Sequence, residues 1–394
     1  MKKAIYPFLI VLAGLLAQRC EPQKKAEVPV WFEFSVLDLD TAKADIDMSF
    51  LNEEEAGSSG FITVGDGKFF DGKGRAVRFL GTNLTFSSCF LDKDIASKLA
   101  RRLRQLGYNV VRFHHMDMRP TPAGIWDAEM KEFDAGQLEK LDWLVYELKR
   151  NGIYTNLNLH VSYTYPGAEY EYGGFNFGKS IDFFYGPYIR MQQDFARRLL
   201  THRNSFTGNT YAEEPAVAFV EINNENSLLS NWARLPEMKD DHKAALRRQW
   251  QTWKAGSGKK YAGVPGSADP LSIIAGYHDK STSEQKEMLW AFLVDREMEY
   301  TETMIRFLKE DLGVVVPVSC TQASYSGIAG IWREGMLADF IDMHAYWEHP
   351  RFPGQSWSRT DWEIRNSSMT TDKNTGTLNN FSMHRVAGMP ITIS

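Results

Sequence analysis

The sequence predicts an α/β fold: a (β/α)8 TIM barrel that lacks its eighth strand and follows a small N-terminal β layer. From residue 78 onward one unit recurs, in which an amphipathic helix ends at a glycine and a short apolar strand follows. Seven strands of parallel type can be counted. An open doubly wound sheet is disfavoured because no glycine-rich phosphate turn follows the first strand. A barrel, typically of about 250 residues or more, fits the remaining length.

The first 20 residues predict a secretory signal peptide. Lys2 and Lys3 precede an apolar run that is too short to span a membrane. We therefore expect an exported bacterial protein that is periplasmic, extracellular or lipid-anchored at the cell surface. Cys20 stands where a lipoprotein carries its lipid, although Arg19 replaces the small residue typical of such sites. Simple cleavage after Ala17 is an equal alternative.

Residues 21–27 predict a linker, and residues 28–77 predict an N-terminal β-rich segment. Within that segment, Asp66-Gly67 and Asp71-Gly72 are expected to form hairpin turns, because glycine tolerates a positive φ. The barrel is expected to occupy residues 78–394, with a helical insertion over residues 231–300. Its predicted strands cover residues 78–84, 110–114, 154–160, 217–225, 315–321, 340–346 and 390–394.

Two helices show the barrel pattern most clearly. One apolar face is predicted from Ile95, Leu99, Leu103 and Leu106, with Gly107 ending the helix before the second strand. In the next helix the same spacing recurs, and Asn151-Gly152 precede the third strand. The residues of that face are Leu138, Leu141, Val145 and Leu148.

Composition argues against a nucleic-acid-binding protein and against a small disulfide-stabilised protein. The net charge is -5 with 24% charged residues, and no block of Lys or Arg provides an electrostatic footprint for nucleic acid. With Cys20, Cys89 and Cys320 as the three cysteines, no disulfide framework exists, and the latter two are expected to be unpaired. The membrane is a predicted partner only through a lipid on Cys20.

Polar residues at the ends of the predicted strands are the candidate site, because TIM-barrel active sites lie at the carboxyl ends of the strands. Glu225 is the strongest candidate. It ends a buried strand, where partial desolvation would raise the pKa of its carboxyl group as a general acid requires. Glu221, four residues earlier, is expected to lie deeper as an ion-pair partner. The other strand-end candidates are Arg112, His114, His115, His160, Asn224, His344 and Tyr346.

These motifs resemble those of the clan A glycoside hydrolases, most closely family 5, the cellulase and mannanase family. The segment "EINNENS" resembles the family's acid/base motif, and the strand ends "VVRF", "NLH" and "HAYW" follow the same order over residues 60–394. The resemblance implies a (β/α) barrel that hydrolyses O-glycosidic bonds in a β-linked polysaccharide or oligosaccharide by a retaining two-carboxylate mechanism. It implies no cofactor.

The resemblance also assigns roles to individual residues. Glu225 would protonate the glycosidic oxygen and later activate water, and Asn224 would bind the sugar 2-hydroxyl. Tyr346 would donate to the nucleophilic carboxylate, and Arg112 would hold that carboxylate ionised. His160 and His344 would line the cleft. For both histidines the alternative is a residue satisfied by backbone or carboxylate partners.

In the family the nucleophilic Glu follows the seventh strand, which "PITIS" resembles up to Ser394. The resemblance therefore implies that the next residue should be the nucleophile, and that this chain is truncated before it and inactive or severely impaired alone. A retaining enzyme needs two carboxyl groups about 5–5.5 Å apart. Three carboxylates could be proposed as substitutes, Glu221, Asp342 and Glu348, but none lies on the seventh strand; Glu348 could contact substrate.

Aromatic residues could stack on sugar rings. Trp126, Trp347 and the loop of residues 163–177 are candidate platforms, although a single aromatic residue is more often a packing residue. His114, His115 and Asp117 could suggest a metal, but they lack an accompanying metal motif and are better interpreted as lining the cleft. Two alternatives stay open: a non-catalytic carbohydrate-binding pseudoenzyme, and a non-glycosidase barrel with a metal or phosphate near Arg112 and His160.

Overall fold

The computed structural model describes residues 47–165, 175–261, 264, 269–344, 346, 348–365 and 385–394. These residues belong to one compact unit that spans residues 46–394. Several predictions fall outside the described residues: the signal peptide, the linker, lipidation of Cys20, the role of Trp347 and most of the aromatic loop.

The described strands and helices alternate along most of the chain. The strands are β1 (Thr63–Gly65), β2 (Lys68–Phe70), β3 (Ala76–Val77), β4 (Gly81–Thr85), β5 (Val110–His114), β6 (Tyr154–His160), β7 (Val217–Asn223), β8 (Val318–Ser319), β9 (Ile341–Met343) and β10 (Ile391–Ile393). The α-helices are α1 (Lys93–Gln105), α2 (Ala135–Arg150), α3 (Gly186–Leu200), α4 (Asp240–Gly256), α5 (Pro270–Ala275), α6 (Ser283–Arg306) and α7 (Gly327–Leu337).

Seven parallel strands, β4 to β10, follow one another in the order of the chain. β4 to β8 form one sheet in which neighbours pair in parallel, and β9 pairs in parallel with β10. A parallel bridge between Gln322 and Asp342 connects the end of β8 to β9. This is the strand order of a (β/α) barrel, so the predicted fold is confirmed.

The barrel is open between β4 and β10, which we call the seam. Within the described residues β4 pairs only with β5, and β10 only with β9. A cavity of about 780 Å³ occupies the seam. It is lined by both strands, by the β2–β3 region and by polar side chains that include Asn83, Arg112, Asn156, Thr392 and Ser394.

The small sheet β1–β2–β3 covers the amino end of the barrel. Phe69 of β2 packs against Phe79, Phe219 and Phe340, with ring centroids 4.9–5.7 Å apart. Tyr154 adds an edge-to-face contact with Phe79. We call these five rings the aromatic floor. It stabilises this end of the barrel, because each aromatic ring that is buried removes a large apolar area from water.

Local signals explain where helices begin and end. Asp134 caps α2, since its carboxylate accepts the Gln137 N–H at 2.9 Å, and Thr282 and Gln285 form a capping box at the start of α6. The predicted apolar face of α2 is correct in that Leu141, Val145 and Leu148 are buried.

The predicted face of α1 is partly wrong. Ile95 is 46% exposed, and the buried stripe runs instead through Ala96, Ala100 and Leu103. The stripe is rotated by about one residue because small alanines allow α1 to approach its neighbours closely, whereas the sequence analysis considered only large apolar residues.

One of the two predicted turns has a different geometry. Asp66 and Gly67 connect β1 and β2 with φ of 47° and 70°, as expected of a tight hairpin. In the second, the positive φ belongs to Gly74, while the Asp71 carboxylate accepts the N–H groups of Lys73 and Arg75. Gly72 is required for close packing, since a Cβ there would lie 2.1 Å from the Ser59 carbonyl oxygen.

The stretch between β7 and β8 contains α4, α5 and α6. Among the described helices, none combines the length and hydropathy needed to cross a membrane. Cys89 and Cys320 are both buried free thiols, as predicted.

Candidate active site

Backbone strain gathers at the carboxyl end of the barrel, which we call the rim. Phe86, His115 and Glu225 each follow a barrel strand within two residues, and each has a positive φ, between 47° and 58°. Residues other than glycine rarely adopt this conformation, and such strain concentrates at functional sites. This strain marks the rim as the candidate functional site.

Hydrogen bonds from neighbouring strands hold the turn that carries Glu225. The Glu225 N–H donates to the side-chain oxygen of Gln322, and the Asn226 N–H donates to Thr321 Oγ1 at 3.1 Å. On the other side, the Asn224 N–H donates to the His160 carbonyl at 2.9 Å. These contacts reach β6 and the end of β8, so the strained turn is fixed by both neighbours of β7.

The Glu225 carboxylate faces the rim and is 30% exposed. His344 Nδ1 lies 2.8 Å from Glu225 Oε1, and the Tyr325 hydroxyl also donates to this carboxylate. The hydrogen bond from His344 lowers the pKa of Glu225 and outweighs the opposite effect of burial. The expectation of a raised pKa was therefore wrong, because the partner that stabilises the charged form, His344, follows β9.

His344 connects Glu225 to the end of β10 through Asp342. The His344 Nε2 atom lies 3.6 Å from Asp342 Oδ2, and the Ser394 hydroxyl donates to Asp342 Oδ1 at 3.0 Å. Thr392 donates to the same oxygen at 2.6 Å. Glu225 and Ser394 therefore lie at the same end of the barrel, separated by one imidazole and one carboxylate.

Arg112 and Glu221 form a buried ion pair below the rim. The Arg112 guanidinium donates to both oxygens of Glu221 at 2.6–3.0 Å, and its Nη2 also donates to Asn224 Oδ1 at 3.0 Å. Asn156 and Asn158 donate to the same carboxylate. Burial acts to raise the pKa of Glu221, but the positive charge of Arg112 and the hydrogen bonds from Arg112, Asn156 and Asn158 together outweigh it and lower that pKa.

Arg112 is the residue that the resemblance pairs with a nucleophile. Among the described residues, the carboxylate it holds is Glu221. Glu221 is 1% exposed, so it is a structural ion-pair partner, as the sequence analysis expected. Asn224 is 5% exposed and is oriented by Arg112. The substrate contacts of Arg112 and Asn224 stay predictions.

His160 is buried between two aspartates. Its Nδ1 lies 3.4 Å from Asp117 and its Nε2 lies 3.5 Å from Asp182, with the Tyr165 hydroxyl 3.2 Å away. Its side chain is 4% exposed. This is the arrangement of a histidine satisfied by carboxylate partners, and contact with a substrate stays a prediction for His160.

The two aspartates have opposite pKa shifts. Burial raises the pKa of Asp182 to about 6, against the electrostatic effect of His160 and the hydrogen bonds from Asn226 and Gln192. Burial also acts on Asp117, but the hydrogen bonds from His160 and from the N–H groups that follow β6 outweigh it and lower its pKa. Asp117 thus orders the start of the loop after β6.

His114 and His115 face different partners. His114 Nδ1 lies 3.1 Å from the Arg112 guanidinium, and burial followed by the Arg112 charge lowers the pKa of His114. His115 stacks on Phe86 with centroids 4.5 Å apart, and its Nδ1 lies 3.3 Å from Ser162 Oγ. Throughout the described residues, no three His, Cys, Asp or Glu side chains gather in a metal-binding arrangement.

Of the predicted aromatic contacts, Tyr346 is 60% exposed at the rim. Burial, followed by the charge of Glu225, raises its pKa. Trp126 is a packing residue: it is 4% exposed and contacts Phe133, Tyr163 and Phe195. Its indole N–H donates to the Asp117 carbonyl at 2.7 Å. Glu348 is half-buried.

Sequence reasoning missed three residues around Glu225: Gln322, Tyr325 and Lys179. Gln322 lies three residues after β8, so the rule that selected the ends of the other strands could have found it, whereas Tyr325 lies three residues further on. Lys179 lies 19 residues after the end of β6, and nothing local marks it. Its Nζ donates to the Asn224 carbonyl at 2.7 Å.

Comparisons with known proteins support the fold. The chain is similar to the endo-1,4-β-mannanase of Rhizomucor miehei, with a TM-score of 0.51 and 15% identity, over 84% of this chain and 80% of the mannanase. At this identity the likeness establishes the fold, and the resemblance inferred from the motifs is confirmed at that level.

Two further solved structures are less similar. A glycoside hydrolase family 5 mannosidase from Rhizomucor miehei has a TM-score of 0.46 and 13% identity, over 74% of this chain and 62% of the mannosidase. A β-glucanase from Saccharophagus degradans has a TM-score of 0.29 and 20% identity, over 54% of this chain and 52% of the glucanase. No protein-family model and no curated protein sequence matches the chain.

Proposed function

We propose that the rim is the active site of a retaining glycoside hydrolase of the clan A type, acting on a β-linked mannan, glucan or related polysaccharide. The observation that carries this proposal is Glu225. Its carboxylate is partly exposed on a strained turn at the carboxyl end of a (β/α) barrel. Ser394, which follows β10, the seventh parallel strand, lies at the same end. Barrels of this kind assemble their active sites from such strand ends.

In the proposed reaction, Glu225 gives its proton to the glycosidic oxygen as the bond from that oxygen to the anomeric carbon breaks. Asn224, oriented by Arg112, would bind the sugar 2-hydroxyl. In the ligand-free protein His344 and Tyr325 favour the charged form of Glu225. Because general acid catalysis needs the protonated form, a bound sugar would have to displace one of these donors or exclude water from the carboxyl group.

The proposal assigns the role of nucleophile to neither of the two buried carboxylates near the rim, Glu221 and Asp342. Glu221 is saturated by Arg112 and two asparagines, and Asp342 is 0% exposed and accepts three hydrogen bonds. Neither can reach an anomeric carbon without losing its partners. By the resemblance, the nucleophile would be a Glu at the carboxyl end of the seventh strand, which corresponds to β10. Because Glu221 and Asp342 are both engaged, we expect the chain to hydrolyse poorly without an added nucleophile.

An external anion tests this proposal. Azide can occupy the position of an absent nucleophile and attack a β-glycoside from the face opposite the leaving group. The bond from the anomeric carbon to nitrogen forms as the bond to oxygen breaks, so the product is an α-glycosyl azide. We expect the chain to form this product from aryl β-mannobiosides or β-cellobiosides when azide is added, and to release almost no sugar without it.

Glu225→Ala is the matched variant. It should lose about 10²–10⁴-fold in the azide reaction with a poor leaving group, which needs a general acid. It should keep the reaction with a dinitrophenyl leaving group, which needs none. Glu139→Gln, on the exposed surface of α2, is the control and is expected to retain both. If wild-type chain binds oligosaccharide but forms no glycosyl azide, the alternative of a carbohydrate-binding pseudoenzyme is favoured.

The non-glycosidase alternative is less well supported. It would require Arg112 and His160 to bind a metal or phosphate, yet Arg112 is engaged by Glu221 and His160 lies between Asp117 and Asp182. We also propose that the protein is exported, because of its N-terminal sequence. Metabolic labelling with a fatty acid, comparing wild type with Cys20→Ala, would test the lipid anchor.

A further inference from the structure

We propose that Lys179 is a positioning residue for Glu225: its ammonium group fixes the turn that carries the acid/base carboxyl and supplies a positive charge to it. The inference deepens the proposed function and depends on it for the catalytic role of Glu225. The contact geometry itself does not depend on that function.

Lys179 reaches Glu225 from a different part of the barrel. It lies in the connection between β6 and α3, one residue before Ser180, whose N–H donates to Asn226 Oδ1 at 2.9 Å. The Lys179 Nζ atom donates to the Asn224 carbonyl at 2.7 Å and lies 3.5 Å from the Glu225 carbonyl. Two consecutive hydrogen bonds thus connect this segment to the turn after β7.

The turn requires such support. Glu225 has a φ of 47°, a conformation that is unfavourable for a non-glycine residue and persists only where its surroundings impose it. Gln322 holds the Glu225 N–H from the side of β8, whereas Lys179 holds the carbonyl groups from the side of β6. Gln322 and Lys179 therefore bond to opposite sides of the peptide group between Asn224 and Glu225.

The charge of Lys179 acts on the Glu225 carboxyl group. Burial lowers the pKa of Lys179, and the nearby acidic groups of Glu225, Asp182 and Asp117 oppose that shift because they favour the ammonium form. In turn, Lys179 adds to the effect of His344 in lowering the pKa of Glu225. Other titratable or charged groups near Glu225 are Tyr325, Tyr346, Arg112 and His115.

Three substitutions separate the hydrogen bond from the charge. Lys179→Arg keeps both, Lys179→Gln keeps a donor without the charge, and Lys179→Met removes both. Lys98→Met, on the exposed surface of α1, is the control that removes one positive charge elsewhere. The readout is the titration of the Glu225 carboxyl carbon by NMR in glutamate-labelled full chain, with the resonance assigned by Glu225→Gln.

We expect Lys179→Gln and Lys179→Met to raise the pKa of Glu225 by about 1, because an opposite charge that favoured the carboxylate is lost. Lys179→Arg and Lys98→Met should leave it unchanged. An unchanged titration in both Gln and Met variants would overturn the electrostatic role. If Lys179→Met does not fold, Lys179→Gln still provides the test.

The azide reaction tests whether Lys179 positions the turn that carries Glu225. Lys179→Met should lower its rate with a poor leaving group by more than Lys179→Gln does, with little change for the dinitrophenyl leaving group. Equal rates for both variants and wild type would overturn the positioning role. The NMR titration needs no turnover, so failure of the glycosidase proposal would appear as a missing azide product while the titration result stands.

Discussion

The aromatic floor and the rim are built from the same strands, yet different forces stabilise them. β7 carries Phe219 in the floor, Glu221 in the barrel interior and, two residues past its end, Glu225 at the rim. The floor gains free energy by removing rings from water. The rim contains buried charges and positive φ angles, each of which costs free energy unless it is matched. The burial of the floor therefore offsets the free-energy cost of the buried charges and positive φ angles at the rim.

The largest expected effect comes from breaking the ion pair below the rim. Arg112→Ala should lower the free energy of unfolding by about 3–5 kcal/mol, because the Glu221 charge would stay buried without its partner. Denaturant unfolding measures this. The double variant Arg112→Met with Glu221→Leu should be clearly more stable than Arg112→Ala, and equal destabilisation would refute the ion-pair explanation.

The floor should respond differently to a mutation of similar size. Phe219→Ala should lower the free energy of unfolding by about 3–4 kcal/mol, because the ring leaves a cavity among Phe69, Phe79 and Phe340. Oligosaccharide affinity, measured by calorimetry at a temperature where the variant is folded, should be unchanged. A large loss of affinity would show that floor and rim are not separable.

The free energy of unfolding should depend on pH through Asp182, a buried acid near the rim. Its pKa in the folded protein is raised to about 6 from its ordinary 3.8, so the protonated form is favoured by folding. The resulting stability is present below the unfolded pKa and is lost as pH rises through the folded one. Relative to Asp182→Asn, the wild-type free energy of unfolding should therefore fall by about 3 kcal/mol over this window.

Urea unfolding of both proteins at the two ends of that window measures the difference. The two curves should diverge with rising pH, with wild type losing more. Parallel curves would indicate that Asp182 titrates at its ordinary value.

The smallest effect is expected at the rim surface. Tyr325→Phe removes one hydrogen bond to Glu225, so the pKa of that carboxyl should rise while the free energy of unfolding changes by about 0.5–1 kcal/mol. Tyr185→Phe is a matched loss of an exposed tyrosine–carboxylate bond, to Asp241, away from Glu225. It should leave the Glu225 titration unaltered, and a shift there would contradict the local explanation.

Much of the fold could be predicted because the βα repeat is local. Strands β5 to β10 each lie within a predicted range, and β4 extends one residue past its predicted range, since a glycine or polar turn precedes a short apolar run. β8 is much shorter than predicted, and Val315, counted within it, is 54% exposed. A run of valines does not reveal which of them face the core.

The candidate site was predictable only in part. Strand ends identified Glu225, Asn224 and His344, but the pKa direction at Glu225 depends on His344, 119 residues away. Lys179 reaches the turn through a long connection that has no periodicity. Contacts of this kind arise from tertiary packing, which no local pattern encodes.

The most direct test of the central claim is a crystal structure of the chain with a bound manno- or cello-oligosaccharide. The account predicts a sugar ring at the rim, with a glycosidic oxygen within hydrogen-bonding distance of the Glu225 carboxyl group and the ring between Glu225 and Ser394. A saccharide bound only at the aromatic floor, or on the outer face of the helices, would contradict it.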